Sequence, residues 1–295
     1  TRAPCGPMPG TRSSWRSVAA AADGRRFVLE KIPSRGYARK RRIAQTLAHL
    51  SDRGLGQIAP YRRDGDGEFL TLVDHGLWQL SPYVGGVVLD RPAYVMDGWR
   101  GEALAQFLIQ LQAVCSQTPE SFETAAFSIC AYIRDLFAVL WQRNAKVAHC
   151  YRPFLDHLNQ HLVPVHDRLP TRFCHGDLHP INIVWGQRSI RAVIDWEFCG
   201  TKPEIYDLAN LLGCLGMEDP QSLKGPFVQR LIGRLKRAHI FSEQSWEALP
   251  EMVLAVRFAW LSEWLRKDDR PMIQMEADYM ALLLSHGASL ADLSG

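Results

Sequence analysis

The sequence lacks the features that mark secreted, zinc-ribbon and membrane-spanning proteins. Its seven cysteines are an odd number and include no CxxC pair, which argues against a disulfide framework and a zinc ribbon. No run approaches the roughly 20 apolar residues needed to cross a bilayer. Three arginines precede the alanine-rich stretch 18–22, but no long apolar segment follows, so no secretory signal peptide is predicted. We therefore expect a cytoplasmic protein.

A strong excess of one charge is also lacking. The 34 basic and 31 acidic residues give a formal net charge of +3, which disfavours a nucleic-acid partner bound over the whole surface. The GxSxG and GxxxxGK[ST] motifs are absent, which disfavours a serine hydrolase and a Walker phosphate loop. What is present is 47% hydrophobic residues in 295, enough for one large or two modest domains. The sequence does not indicate an oligomeric state.

The first 80 residues predict a small sheet with one helix. Alternating segments around Asp23-Gly24 indicate a β-hairpin at 15–32, because Asp-Gly favours tight hairpin turns. Apolar residues at helical spacing predict a helix at 37–50, and a second strand pair follows at 68–80. The SPYVGG segment at 81–86 then indicates a linker.

Beyond the linker the pattern becomes mostly helical. Helices are predicted at 101–115, 121–144, 150–163, 204–217, 222–238 and 245–287, the last with a break at 268–271. Only two short apolar strands, 183–185 and 190–196, interrupt them. The chain is thus predicted to be an α+β protein with an antiparallel-sheet lobe at 1–80, a hinge at 81–86 and a mainly helical lobe at 87–295.

Polar residues cluster at the ends of these two late strands. HGDLHPIN, residues 175–182, leads into the first strand, and Asp195 follows the second. If the strands pair as a hairpin, Asp177, Asn182 and Asp195 converge at one end. Carboxylate and amide oxygens suit Mg²⁺, which in turn implies substrate phosphates. One of the aspartates could then orient and deprotonate an attacking hydroxyl.

This segment has two other interpretations. His175 and His179 have the spacing of a helical zinc pair, but Gly176 and Pro180 interrupt any helix there and HExxH is absent. The structural alternative is that His175 and Asp177 only tie a loop together through backbone hydrogen bonds. For an isolated HxD motif, this structural role would be the favoured interpretation.

The order of the motifs resembles a known family. HGDLHPIN is followed by IDWE, whose aspartate lies eighteen residues after Asp177, and then by YDLA at 206–209. This series is similar to that of the aminoglycoside phosphotransferase and choline kinase family, which has a two-lobed protein-kinase-like fold. The resemblance implies an ATP- and Mg²⁺-dependent enzyme that phosphorylates a hydroxyl of a small molecule of the aminoglycoside, amino alcohol or sugar class.

The resemblance also implies roles for individual residues. Asp177 corresponds to the catalytic base, and Asn182 and Asp195 correspond to the metal ligands. Asp207 of YDLA and His175 would support the catalytic loop. Glu197 in IDWE is either a group behind the metal site or an exposed charge. The backbone from Ser81 to Tyr83 is expected to meet the adenine.

The small lobe departs from the family at the strand lysine that binds the α- and β-phosphates. VLEKI has Glu30 in that slot and Lys31 one residue later, and neighbouring strand residues face opposite sides. Either Glu30 pairs with an arginine of the helix at 39–42 that reaches phosphate, or a bulge turns Lys31 inward. PGTRSS at 9–14 is a weak candidate for a phosphate-covering loop.

The acceptor is not specified by these motifs. Trp260, Glu263 and Trp264 could bind a cationic acceptor, although tryptophans at helical spacing are more often part of the core. Glu30 in the lysine slot leaves open a nucleotide-binding pseudokinase that regulates a partner. A protein kinase is disfavoured because no APE-like activation segment follows Asp195.

Overall fold

The computed structural model describes residues 15–117 and 125–285. The small sheet is antiparallel, with the strand order β1-β2-β4-β3. Its strands are β1 (Trp15–Ala20), β2 (Arg26–Ile32), β3 (Thr71–Val73) and β4 (Gly76–Pro82). Gly24 turns the first hairpin with φ +81°, a conformation that glycine adopts without steric cost. Both predicted strand pairs are confirmed.

Helix α1 (Tyr37–Asp52) follows the hairpin and packs one face against the protein interior. Its buried residues recur every three or four positions, as expected for an amphipathic helix. They are Lys40, Ile43, Ala44, Leu47 and Leu50. A lysine therefore occupies the first position of the buried stripe.

The rest of the described chain is mainly helical. Its helices are α2 (Gly98–Ser116), α3 (Ile129–Arg143), α4 (Ala145–His161), α5 (Val163–His166), α6 (Tyr206–Glu218), α7 (Pro226–Arg237), α8 (Glu243–Glu247), α9 (Leu249–Lys267) and α10 (Arg270–Ser285). Helix α2 packs on α7, and α9 packs on both α6 and α10. The predicted two-lobed α+β architecture is confirmed. None of the helices within the described residues is both long and apolar enough to cross a membrane.

Two small two-stranded sheets lie among these helices. Strands β6 (Ile183–Trp185) and β7 (Ile190–Val193) pair antiparallel, as the sequence predicts. Strands β5 (Thr171–Cys174) and β8 (Gly200–Pro203) also pair antiparallel, and the expectation of only two strands in this region is wrong. The β8 sequence, GTKP, contains glycine and proline and no apolar alternation, so its strand character comes from pairing with β5.

The two lobes are joined by backbone pairing as well as by the chain. Val193 donates its N–H to the carbonyl of Gln57, 2.8 Å away, and Arg62 donates to Leu80 of β4 at 2.7 Å. The segment between α1 and β3 therefore bonds to the large lobe at one end and to the small sheet at the other. On the chain itself, β4 extends to Pro82, so the sheet ends within the predicted hinge.

Candidate active site

Asp207 fixes the start of the loop that contains the HGD motif. It lies in the first turn of α6 and accepts the backbone N–H of His175 at 2.7 Å and that of Gly176 at 2.8 Å. Burial raises the pKa of Asp207 to about 6, although these two backbone hydrogen bonds act in the opposite direction. The carboxylate thus satisfies two buried donors that a loop cannot satisfy within itself.

His175 connects this loop to Ile194, which lies between β7 and Asp195. Its side chain is fully buried, and its Nε2 lies 3.0 Å from the carbonyl oxygen of Ile194. Its Nδ1 accepts the N–H of Asp177 at 3.2 Å. Because Nδ1 accepts, Nε2 carries the proton and the ring is neutral. Burial lowers the pKa of His175 to about 4, in agreement with that tautomer.

Asp177 and Asn182 are held side by side. The Asn182 amide nitrogen donates to the Asp177 carboxylate at 3.1 Å and to the Asp177 carbonyl at 2.9 Å. The carbonyl of Asn182 accepts the N–H of Ile194 at 2.9 Å, which brings the loop beside Asp195. Because its amide nitrogen donates to Asp177, Asn182 retains its amide oxygen as an acceptor atom.

Asp195 has a left-handed backbone conformation with φ +64°. Non-glycine residues seldom adopt this region, although aspartate does so more readily than most. Such conformations persist where surrounding contacts impose them, and they concentrate at functional sites. The turn separates β7 from residues 196–198 and leaves the Asp195 side chain exposed.

Gly176 is required by its surroundings. Its φ is +82°, and an added Cβ would lie 2.1 Å from the carbonyl oxygen of Phe198 and 2.6 Å from the Lys202 side chain. Both the conformation and the space therefore exclude a side chain. The close approach keeps the HGD loop against the segment that follows Asp195.

Glu197 forms a buried ion pair that the sequence analysis missed. It binds the ammonium group of Lys40 on α1, and the two side chains are 10% and 2% exposed. Arg39 also donates to the Glu197 backbone carbonyl. The position of Lys40 in the apolar stripe of α1 is the sequence signal that could have identified it as inward-facing. Glu197 thus connects the segment after Asp195 to α1 of the small lobe.

The pairing of Glu30 differs from both predicted arrangements. Glu30 is 2% exposed and binds Arg16 of β1, whose Nε and terminal nitrogen lie 2.8 and 2.5 Å from the same carboxylate oxygen. The predicted pairing with an arginine of 39–42 is therefore wrong. Arg16 and Glu30 are directly opposite residues of β1 and β2, so cross-strand register brings them together.

Lys31 is not brought to the site. Strand β2 pairs in continuous register with both neighbours, so no bulge turns Lys31 to the side that Glu30 faces. Its side chain is on the opposite surface, where its ammonium group lies 5.7 Å from the centre of the Trp78 ring. The predicted role of Lys31 in nucleotide binding therefore lacks the geometry it requires.

The predicted adenine-binding backbone lies at the end of β4. Ser81 is paired with Val28 of β2, and Tyr83 donates its N–H to the carbonyl of Arg26 at 3.0 Å. The Tyr83 N–H therefore belongs to the sheet and is not available to adenine, and the contact of the remaining Ser81–Tyr83 backbone with adenine stays a prediction. The candidate phosphate-covering loop at 9–14 lies outside the described residues.

A pocket of about 710 Å³ opens beside Asp177. Trp260 and Glu263 line it, whereas the indole N–H of Trp264 donates to Glu276 at 3.1 Å. Trp264 thus packs between α9 and α10. Hydrogen bonds from Arg266 lower the pKa of Glu263 to about 2. Further charged lining residues are Arg39, Arg42, Asp135 and Lys202.

A hydrogen-bonded connection from the HGD loop to α9 was also missed. Asn210 of α6 donates to the carbonyl of Leu178 at 3.1 Å and accepts the indole N–H of Trp260 at 3.1 Å. The Trp260 ring also meets the edge of His179, with ring centres 5.5 Å apart. Asn210 follows YDLA by one residue, and its one-turn offset from Asp207 is the signal that it faces the same loop.

Comparison with known proteins identifies the family. Residues 12–249 match the family described as the phosphotransferase enzyme family. The chain belongs to this family. Homoserine kinase of Rhodopseudomonas palustris strain TIE-1 is 23% identical over 285 residues, which cover 90% of this phosphotransferase and 84% of the relative.

Solved structures share the fold of this phosphotransferase. A microcompartment-associated aminopropanol kinase superposes with a TM-score of 0.68 and 18% identity, covering 95% of each chain. An aminoglycoside phosphotransferase from Alicyclobacillus acidocaldarius gives 0.63 and 16% identity, covering 99% of this chain and 96% of the other. An amicoumacin kinase in complex with AMP-PNP and Ca²⁺ gives 0.65 at 14% identity, covering 92% and 86%.

Proposed function

We propose that this phosphotransferase moves the γ-phosphate of ATP to a hydroxyl of a small molecule in an Mg²⁺-dependent reaction. The observation that carries the proposal is the set of Asp177, Asn182 and Asp195, held together through Asn182, His175 and Ile194. Such an arrangement supplies catalysis chiefly by positioning and charge neutralisation.

The residues present fit a divalent metal. Asn182 offers an amide oxygen and Asp195 an exposed carboxylate, and hard oxygen donors of this kind suit Mg²⁺. When bound, Mg²⁺ neutralises charge on the phosphates. Asp177 would accept the proton of the acceptor hydroxyl, while the Asn182 amide fixes the orientation of its carboxylate. His175 and Asp207 hold the backbone of the loop.

The acceptor pocket supports a polar molecule that carries both charge and hydroxyl groups. Asp135, Glu263 and the ring of Trp260 line it and favour an amine. Arg39, Arg42 and Lys202 line the same pocket and favour an anionic group. The names of the relatives, homoserine kinase and aminopropanol kinase, agree with a hydroxyl acceptor that also bears an amine. Homoserine, aminopropanol, choline and aminoglycosides are therefore the first substrates to test.

A substrate panel coupled to ADP release tests the proposal. We expect ADP release that depends on one class of acceptor and on Mg²⁺, with Asp195→Asn as the blank. ATP binding without transfer to any alcohol, amino alcohol or sugar would instead favour the regulatory pseudokinase. Phosphorylated Ser or Thr on an added protein would favour a protein kinase.

The base assignment has a separate test. Asp177→Asn should lower turnover of the identified acceptor by about 10²- to 10⁴-fold, the range typical of general-base loss. ATP affinity, measured by calorimetry, should change little because Asn preserves the shape of the side chain. Undiminished turnover in this variant would show that Asp177 is not the base.

A further inference from the structure

Arg16 forms the exposed half of the ion pair with Glu30. The Glu30 side chain is 3% exposed, whereas that of Arg16 is 60% exposed. Two guanidinium nitrogens of Arg16 are directed at one oxygen of Glu30, so one edge of the planar group is fixed. A guanidinium has five N–H donors, and its other edge retains donors for a second partner.

Backbone pairing connects the Arg16–Glu30 pair to the strand that precedes Asp195. Glu30 is paired with Gln79 of β4, and the segment after α1 bonds both to Leu80, next to Gln79, and to Val193 of β7. Burial alone would lower the pKa of Arg16, but Glu30, and more weakly the Asp195 carboxylate, raise it above its ordinary value. Arg16 therefore interacts with the buried carboxylate of the small lobe and, more weakly, with Asp195 of the large lobe.

We propose that Arg16 is the cation that contacts the phosphates of a bound nucleoside triphosphate, with Glu30 as its positioning residue. The positive charge that the family carries on the strand containing Glu30 has moved to the neighbouring strand. A guanidinium can bind phosphate oxygens through two parallel N–H groups. Its orientation by Glu30 reduces the side-chain entropy lost on binding. This inference rests on the proposed ATP-dependent function.

The pair also explains why a carboxylate is tolerated in the lysine slot. A buried carboxylate requires a cationic partner, since an unpaired buried charge is strongly destabilising. Glu30 has such a partner in Arg16, and its carboxylate remains behind the guanidinium. The phosphates would consequently meet a cation and not the negative charge of Glu30.

Calorimetric affinities for ATP and adenosine, at fixed Mg²⁺ and salt, test this inference. Arg16→Met should weaken ATP binding by about 10- to 100-fold, as expected for the loss of a charge-assisted hydrogen bond. Adenosine binding should be unchanged because it has no phosphates. Arg25→Met is the matched control: Arg25 lies in the exposed turn of the same hairpin and pairs with Asp23, and its loss should alter neither affinity.

A second variant addresses the stability of the fold. Arg16→Met leaves Glu30 buried without its partner, whereas Arg16→Met combined with Glu30→Gln removes both charges. The double variant should regain the thermal stability of the wild type and still bind ATP weakly. Glu30→Gln alone should weaken ATP binding less than Arg16→Met, because the guanidinium is present but no longer oriented.

The outcomes separate this inference from the proposed function. Wild-type ATP affinity retained in the stable double variant would overturn the role of Arg16 while leaving the phosphotransferase proposal intact. Equal losses of ATP and adenosine binding would also overturn it, because they would indicate a general disturbance of the cleft. No ATP binding by the wild-type protein would overturn both.

Discussion

At the scale of single residues, His175 shows how burial determines a protonation state in the catalytic loop. Its folded-state pKa is about 4, against an ordinary value of 6.5. The charge of Asp177 favours the protonated ring, but burial opposes it more strongly. Neutral His175 is the form that can accept from Asp177 and donate to Ile194. Protonation would break the first of these contacts.

This difference predicts a pH dependence of stability. The unfolded state takes up a proton near pH 6.5 and the folded state only near pH 4, so the His175 contribution is present above pH 6.5. This contribution to the free energy of unfolding is lost as the pH falls from 6.5 to 4. The total loss is roughly 3 kcal/mol. His175→Asn should flatten the slope of unfolding free energy against pH, measured by urea denaturation between pH 4 and 6.5.

Asp207 provides the internal control for this measurement. Its folded-state pKa is raised to about 6 from 3.8, so its contribution to stability is present below the unfolded value and lost as the pH rises to about 6. Its effect therefore has the opposite sign in nearly the same window. An Asp207→Asn variant should steepen the pH dependence of the unfolding free energy, which His175→Asn should flatten. Parallel profiles for the wild type and the two variants would contradict the pKa shifts assigned to His175 and Asp207.

At the scale of secondary-structure elements, the Lys40–Glu197 pair attaches α1 to the segment after Asp195. Both side chains are buried, so removal of one charge leaves the other unpaired in the interior. Lys40→Met and Glu197→Gln should each lower the free energy of unfolding by about 3–5 kcal/mol. The variant that combines them should recover much of that loss, as measured by a double-mutant cycle in urea.

The same helix offers a matched control for this cycle. Arg41 pairs with Glu68, and these side chains are 44% and 46% exposed. Exposed ion pairs contribute less than about 1 kcal/mol, so Arg41→Met should have little effect. If the double variant lost as much unfolding free energy as the Lys40→Met and Glu197→Gln variants together, the two charges would not depend on each other.

The elements also show which parts of the site can be predicted from sequence. Asp177, Asn182 and Asp195 were predicted to be near one another because they flank two strands joined by a short turn, and local hairpin pairing is sufficient to bring them together. Arg16 and Glu30 are fourteen residues apart, and their contact depends on the register of β1 against β2. Without that register, the helix cations were equally plausible partners.

At the scale of the whole molecule, the order of lobes was predictable and the connections between them were not. The change from strand to helix periodicity near residue 82 indicates the two lobes. The backbone bond between Gln57 and Val193 has no local sequence signal, because it joins distant segments. The same limitation applies to β5 and β8, which become strands only by pairing with each other.

The proposed nucleotide site combines residues of both lobes, so nucleotide binding should stabilise the whole chain. Mg²⁺-ATP at about 100 times its dissociation constant should add about 2.7 kcal/mol to the free energy of unfolding. Thermal unfolding should show this as an increase of several degrees in Tm.

Removal of divalent metal with EDTA should abolish most of the increase if, as proposed, Asn182 and Asp195 bind the phosphates through the metal. Asp195→Asn should reduce it similarly, with adenosine as the metal-independent control. An equal increase in Tm for ATP with and without EDTA would contradict the metal assignment, because binding would then not depend on the ion.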